Sequence, residues 1–331
     1  MKANFLFCCS LLGAALAVTC PGDTGVNGYA SVEGGTTGGG TVTAITVTTL
    51  ADLKANAGAS GSRVIIVKGT IDTGSAINVA SDKTIRGYDT CATIIGGFSM
   101  NGVSNIIFQN LNIKGGDAVD TIASRNSHHV WYDHLSLSDA SDGLLDVTKA
   151  SDYQTVSWCK FFYTDTTNDH RLASLVSAGG GTQPDDEGKL HLTYHHNWWS
   201  SNVDQRRPRV MYGDAHIYNN QYRAGGNSCC IGFGSYASVL IENNYFQEVK
   251  SPHEFMYDVY AWADATGNLY DDTTGSKDNV YFGSTNAEGQ EDFTAGPFTP
   301  PYSYKLDDAS ATCPGLRGAS LDNDICVRVG K

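Results

Sequence analysis

Between Gly115 and Trp158 the chain carries Asp117, Asp120, Asp133, Asp139, Asp142, Asp146 and Asp152, separated by strand-like runs VWYDHLSL and YQTVSW. A strand on its own has no use for so many acids. Carboxylates that converge can hold a hard cation such as Ca²⁺, whose preferred ligands are oxygens. The plain alternative is a set of solvated loop acids. A second cluster has the opposite sign: Arg206, Arg207 and Arg209 in VDQRRPRVMYGDAHIYNN, with Pro208 fixing the backbone. The guanidinium fork matches carboxylate geometry. Acids for a cation together with arginines for carboxylates suit a uronate polysaccharide.

The elements that position these groups repeat. Six segments resemble one another: IIFQNLNI, VWYDHLSL, TVSWCKFF, LTYHHNWW, HIYNNQYR and LIENNYFQ. Aligned on a central polar residue they place Asn110, His134, Cys159, His196, Asn220 and Asn244 in one register, with steps of 24, 25, 37, 24 and 24 residues. A near-constant period of short strand-like units marks a repeat architecture. Stacked coils of a right-handed parallel β-helix are the natural solution. The polar residue of each unit then bonds to its counterpart in the next coil. That gives His134 and His196 a structural role, not a catalytic one. The longer step holds an insertion that includes SAGGGTQPDDEGK, expected on the binding face. TLADLKANAG predicts a short helix over 49–58, capped by Thr49 and ended by Gly58, which closes the N-terminal end of the coils. SRVIIVKGTI reads as a buried strand, and the tail 290–331 is expected to lie along or across the coils.

The chain has 331 residues, 41% of them hydrophobic and 17% charged, which fits a folded protein, and all-β folds of this length often form one domain. A net charge of −13 removes long-range attraction for nucleic acid. Residues 1–17 read as a secretory signal peptide, with Lys2, an apolar run and Ala15-Leu16-Ala17. The expected product is a secreted, monomeric domain over 18–331 with no membrane span. Seven cysteines remain after the leader, and Cys313 with Cys326 is the favoured disulfide.

VWYDH, DGLLDVTKASDYQTVSW, LTYHHNWW and RRPRV followed by HIYNN, with NGYASVEGGTTGG at the start and TPPYSY near the end, resemble the extracellular pectate lyase family over nearly the whole chain. The resemblance implies a parallel β-helix that cleaves polygalacturonate, the acidic backbone of plant pectin, by Ca²⁺-dependent β-elimination. It implies Asp120, thirteen residues before Asp133, and Asp142 and Asp146 as metal ligands, with Asp117 a helper. Asp133 itself reads as structural. Arg206 matches the base that removes the C5 proton, after which the C4–O bond breaks. Arg209 matches a structural or substrate-orienting arginine. Arginine holds its proton to a pKa above about 12, so an alkaline optimum is expected. Met211 and Leu172 stand where many members carry Arg and Lys, with Arg171 beside Leu172 as a substitute substrate ligand. Without that substitution by Arg171 the site has lost two cations, which favours partly methyl-esterified pectin or weak activity. The alternatives are a pectin lyase needing no Ca²⁺, a hydrolase using paired carboxylates, and a weakly active or non-catalytic polysaccharide-binding β-helix.

Overall fold

Polar side chains stacked at one strand spacing need a parallel ladder, and the chain builds one. The computed structural model describes residues 25–178, 183–223, 225–257, 260–282 and 295–311. The leader, Cys20 and the Cys313/Cys326 pair lie outside the described residues.

The coils form a parallel β-helix with three faces. Face one runs through Arg63–Val67, Lys83–Gly87, Ser104–Gln109, His128–Asp133, Asp152–Ser157, Leu192–His195, Asp214–Tyr218, Ser238–Glu242 and Ala261–Thr266. Face two is short-stranded, including Ser136–Ser138, Lys160–Phe162 and Gln221–Arg223. Face three includes Ile122–Arg125, Leu145–Thr148, Leu175–Val176, Arg209–Met211, Ile231–Gly234 and His253–Phe255. The long strand Thr93–Asn101 pairs with strands of both face two and face three.

Inward residues alternate along each strand and stack from coil to coil, as period-two side chains must. Phe161, Trp199, Tyr222, Phe246 and Tyr270 form a continuous stack with centroid spacings of 4.3, 5.9, 4.4 and 5.4 Å. The helix forms at Leu50–Ala57, where the Thr49 hydroxyl accepts from Asp52 N at 3.2 Å and Leu53 and Ala57 are buried against the first coils. The expected strand of SRVIIVKGTI is Arg63–Val67. Residues 295–311 lie along face one: Tyr302 OH meets Thr193 Oγ1 and His216 Nδ1, and Asn219 Oδ1 accepts from Asp307 N.

The polar register needs correction. The six residues aligned above belong to two adjacent columns. Asn110, His134 and His196 occupy the left-handed bend after face one, at φ of 53°, 51° and 54°, in line with Trp158, Asn219 and Asn243. Cys159, Asn220 and Asn244 sit one residue later, where Asn197 and Asn268 complete the ladder. Cys159 N donates to Asn197 Oδ1, and Asn197, Asn220 and Asn244 each donate through N and Nδ2 to the next amide oxygen at 2.9–3.0 Å. His134 and His196 instead stack on either side of Trp158 and pair with Asp133 and Asp307. Asp133 is buried and accepts from Gln109 and Ser157, a structural role.

The long step also divides. Part of it, 163–174, extends the bend between faces two and three. The rest follows face three, where buried Asp186 accepts from Ala150 N and Ser177 Oγ. Among the described residues no disulfide is present, and Cys159, Cys229 and Cys230 are buried thiols. No helix among them is long and apolar enough to cross a membrane.

Candidate active site

Every residue named from the sequence as a catalytic, substrate or metal candidate lies on face three or in the bend that leads to it from face two. Successive coils present these bends side by side. Outward residues of face three align across the strands as Ala123, Asp146, Leu175, Arg209, Gly232 and Glu254. The inward neighbours Ile122, Val147, Val176, Val210 and Phe233 are fully buried, and this packing holds the outward row on a rigid floor.

Asp120 and Asp146 are both buried carboxylates. Asp120 Oδ1 accepts from Gly143 N at 3.1 Å, and Asp146 Oδ1 accepts from Leu175 N at 3.0 Å. Burial raises both above the usual carboxylate range. Asp146 is pushed up to about 7, with the charges of Asp120 and Asp142 adding to burial. Desolvation and the Asp142 charge act likewise on Asp120. Asp142 is more open, and its backbone carbonyl is held by the buried Tyr163 hydroxyl, which also contacts Leu172 O.

Arg206 enters this acid group from the bend before Arg209–Met211. Its Nη1 lies 3.6 Å from Asp142 Oδ1 and 3.8 Å from Asp146 Oδ2. The residue sits at φ 60°, a region few side-chain-bearing residues adopt and one that concentrates at functional sites. Its side chain is 14% exposed, and its Nε and Nη1 make no hydrogen bond. The cation is therefore charge-paired yet has donors to spare for another acceptor. Arg209 stands next in the row, where Nη1 donates to Tyr257 OH at 3.3 Å.

Two sequence candidates stand apart. Asp117 is exposed on the bend 115–121, in contrast to the buried Asp120 three residues on. Arg171 spends its guanidinium on its own loop, donating to Asn202 O, Thr166 O and Asn168 O at 2.7–3.2 Å. The geometry makes it a loop clamp. Sequence reasoning missed Arg125, whose Nη2 lies 3.8 Å from Asp120 Oδ2, and Gly143, whose amide serves Asp120. The parallel register would have found Arg125, on the strand beside Asp146. Backbone donors leave no mark in residue types.

Three oxygen donors of one sign, two of them buried and each repelling the other, are short of positive charge. Such a donor set suits a hard divalent cation. Among the described residues, however, no three His, Cys, Asp or Glu side chains are drawn together as a closed metal-binding group. The acids are arranged about the Arg206 guanidinium instead.

A family model described as pectate lyase matches residues 6–315. The chain belongs to the pectate lyase family. It is 36% identical over 266 residues to pectate lyase A of Emericella nidulans, covering 73% of this chain and 79% of that protein. It is 36% identical over 309 residues to probable pectate lyase B of Aspergillus flavus, covering 89% and 88%. The solved pectate lyase of Bacillus sp. N165, in complex with trigalacturonate, superposes with a TM-score of 0.73 at 28% identity, covering 88% of this chain and 97% of that one. This pectate lyase is thus a polysaccharide lyase on a parallel β-helix, and the acid–arginine row of face three is its candidate active site.

Proposed function

We propose that the chain is a secreted, Ca²⁺-dependent pectate lyase that cleaves polygalacturonate by β-elimination to 4,5-unsaturated oligogalacturonides. The observation that carries this reading is the placement of Arg206 Nη1 within 3.8 Å of both Asp142 and Asp146, on a groove beside buried Asp120. The leader at 1–17 supports secretion.

Asp120, Asp142 and Asp146 would hold the cation. A bound divalent cation supplies Lewis-acid charge against the substrate's C6 carboxylate, which acidifies the C5 proton. Arg206 faces the same place with unused nitrogens; as the neutral guanidine, having first given a proton to solvent, it takes the C5 proton at Nη1. The C5 electron pair forms the C4–C5 double bond as the C4–O bond breaks, and the departing glycosidic oxygen takes a proton from solvent. Arg209, two strands along the row from Asp146, orients a neighbouring uronate. The buried floor and the single fixed donors to Asp120 and Asp146 keep these groups from moving as charge shifts.

Elimination leaves an ultraviolet-absorbing unsaturated uronate, and hydrolysis leaves none. Formation of that product from polygalacturonate, and its loss in Arg206→Ala, tests the reading.

A further inference from the structure

The groove is electrically lopsided. At one end lie Arg125, 44% exposed, and the acid group with Arg206. Beyond Arg209 the outward positions change character. On Ile231–Gly234 they are Gly232 and Gly234; on the strand that follows it is Glu254, with Met256 just past that strand's end. None of these four is a cation.

The same stretch is apolar above its backbone. A Cβ at Gly232 would stand 2.6 Å from Met256 Sδ and 3.4 Å from Arg209 Cγ, so the thioether lies across the glycine against the arginine stem. Met211 Sδ lies under Gly234, in the next row. Tyr257, 44% exposed, stands at the edge of this shelf and engages Arg209 through its hydroxyl. Neighbouring strands are about 4.8 Å apart, so Glu254 lies about 10 Å along the groove from Arg209, within reach of the next sugars of a bound polymer.

At the Glu254 end of the shelf a free galacturonate carboxylate would meet an acid, and Arg209, the cation that borders the shelf, is already engaged by Tyr257. A methyl ester carries no charge, and its methyl group has Met256 and the Tyr257 ring to pack on. We infer that the shelf of Gly232, Glu254, Met256 and Tyr257 is a subsite for a methyl-esterified galacturonosyl residue, next to a cleavage site that requires a free carboxylate. This rests on the pectate lyase reading above and narrows it. The enzyme then prefers pectin that is partly esterified over fully de-esterified polygalacturonate.

The test compares kcat/KM, by unsaturated-uronate absorbance, on polygalacturonate and on pectin with about a third of its residues esterified, for wild type, Glu254→Gln and Glu254→Lys. The wild-type ratio should favour partly esterified pectin by about 5-fold, a small difference in charged and apolar contact. Glu254→Gln should lower that ratio, and Glu254→Lys should reverse it by raising the rate on polygalacturonate. A wild type that prefers polygalacturonate, with a ratio unmoved in both variants, overturns the subsite and leaves the lyase reading standing. Absence of unsaturated product from both substrates overturns both.

Discussion

A Cβ on Gly143 would stand 2.5 Å from Oδ1 of Asp146. Asp146 also bonds through that oxygen to Leu175 N, so moving the carboxylate away breaks that bond. Meanwhile the Gly143 amide donates to Asp120. One small residue thus sets the positions of two carboxylates. Gly143→Ala should lower kcat/KM by about 100-fold, the scale of a displacement near 1 Å at a reacting centre. The fold should survive, since the residue lies in a bend. A variant with wild-type turnover would show that Asp146 does not need its present place.

The amide ladder predicts a different kind of loss. Asn220→Ala removes the acceptor for Asn197 and the donors to Asn244, Tyr194 O and Tyr218 O inside the solenoid. Stranding those groups should cost about 2–4 kcal/mol, seen as a lower midpoint in denaturant. Asn110→Gly should cost almost nothing, because Asn110 sits in the left-handed bend that glycine adopts freely. Equal losses in the two variants would contradict the division into two columns. Turnover per folded molecule should hold in both, because this corner is the one between faces one and two.

Much of this was legible in the sequence. The 24-residue period gave coils, Thr49 gave the helix start, and Asp120, Asp142, Asp146 and Arg206 do meet around one place. The register slipped by one residue because a polar side chain suits both the left-handed bend and the ladder beside it. HisHisAsn at 195–197 offered two candidates for one slot, and only strand pairing separates them. The loop bonds of Arg171 are hidden for a related reason. Proximity in sequence to the groove does not show that carbonyls of its own loop already take its guanidinium.

Acid should weaken the fold through its buried imidazoles. His195 is fully buried, and desolvation, followed by the neighbouring His196, His216 and His134, depresses its pKa well below the ordinary value. Its Nε2 meets Asn27 Oδ1 at 2.9 Å, tying the N-terminal segment to face one. The unfolded chain takes up a proton near pH 6.5 and the native one does not. Stability is therefore fully present above that pH and is lost below it, at about 1.4 kcal/mol per pH unit for one group. His216 and His253 act in the same direction, whereas His191, raised by Asp152 against the effect of its burial, acts oppositely. His195→Gln should flatten the fall in unfolding free energy between pH 7 and 5. An unchanged slope would mean that His195 is not the group that titrates.

The central claim is elimination by Arg206 beside cation-holding carboxylates. The measurement that tests it most directly is ultraviolet absorbance of the unsaturated product from polygalacturonate at alkaline pH, with and without a chelator, in wild type and in Arg206→Ala. The account predicts a rise in wild type that the chelator abolishes and added Ca²⁺ restores, and a rate at least about 100-fold lower in Arg206→Ala, as befits loss of a proton-transferring group. A rise that persists in the chelator, an Arg206→Ala enzyme near wild-type rate, or new reducing ends without absorbance would contradict it.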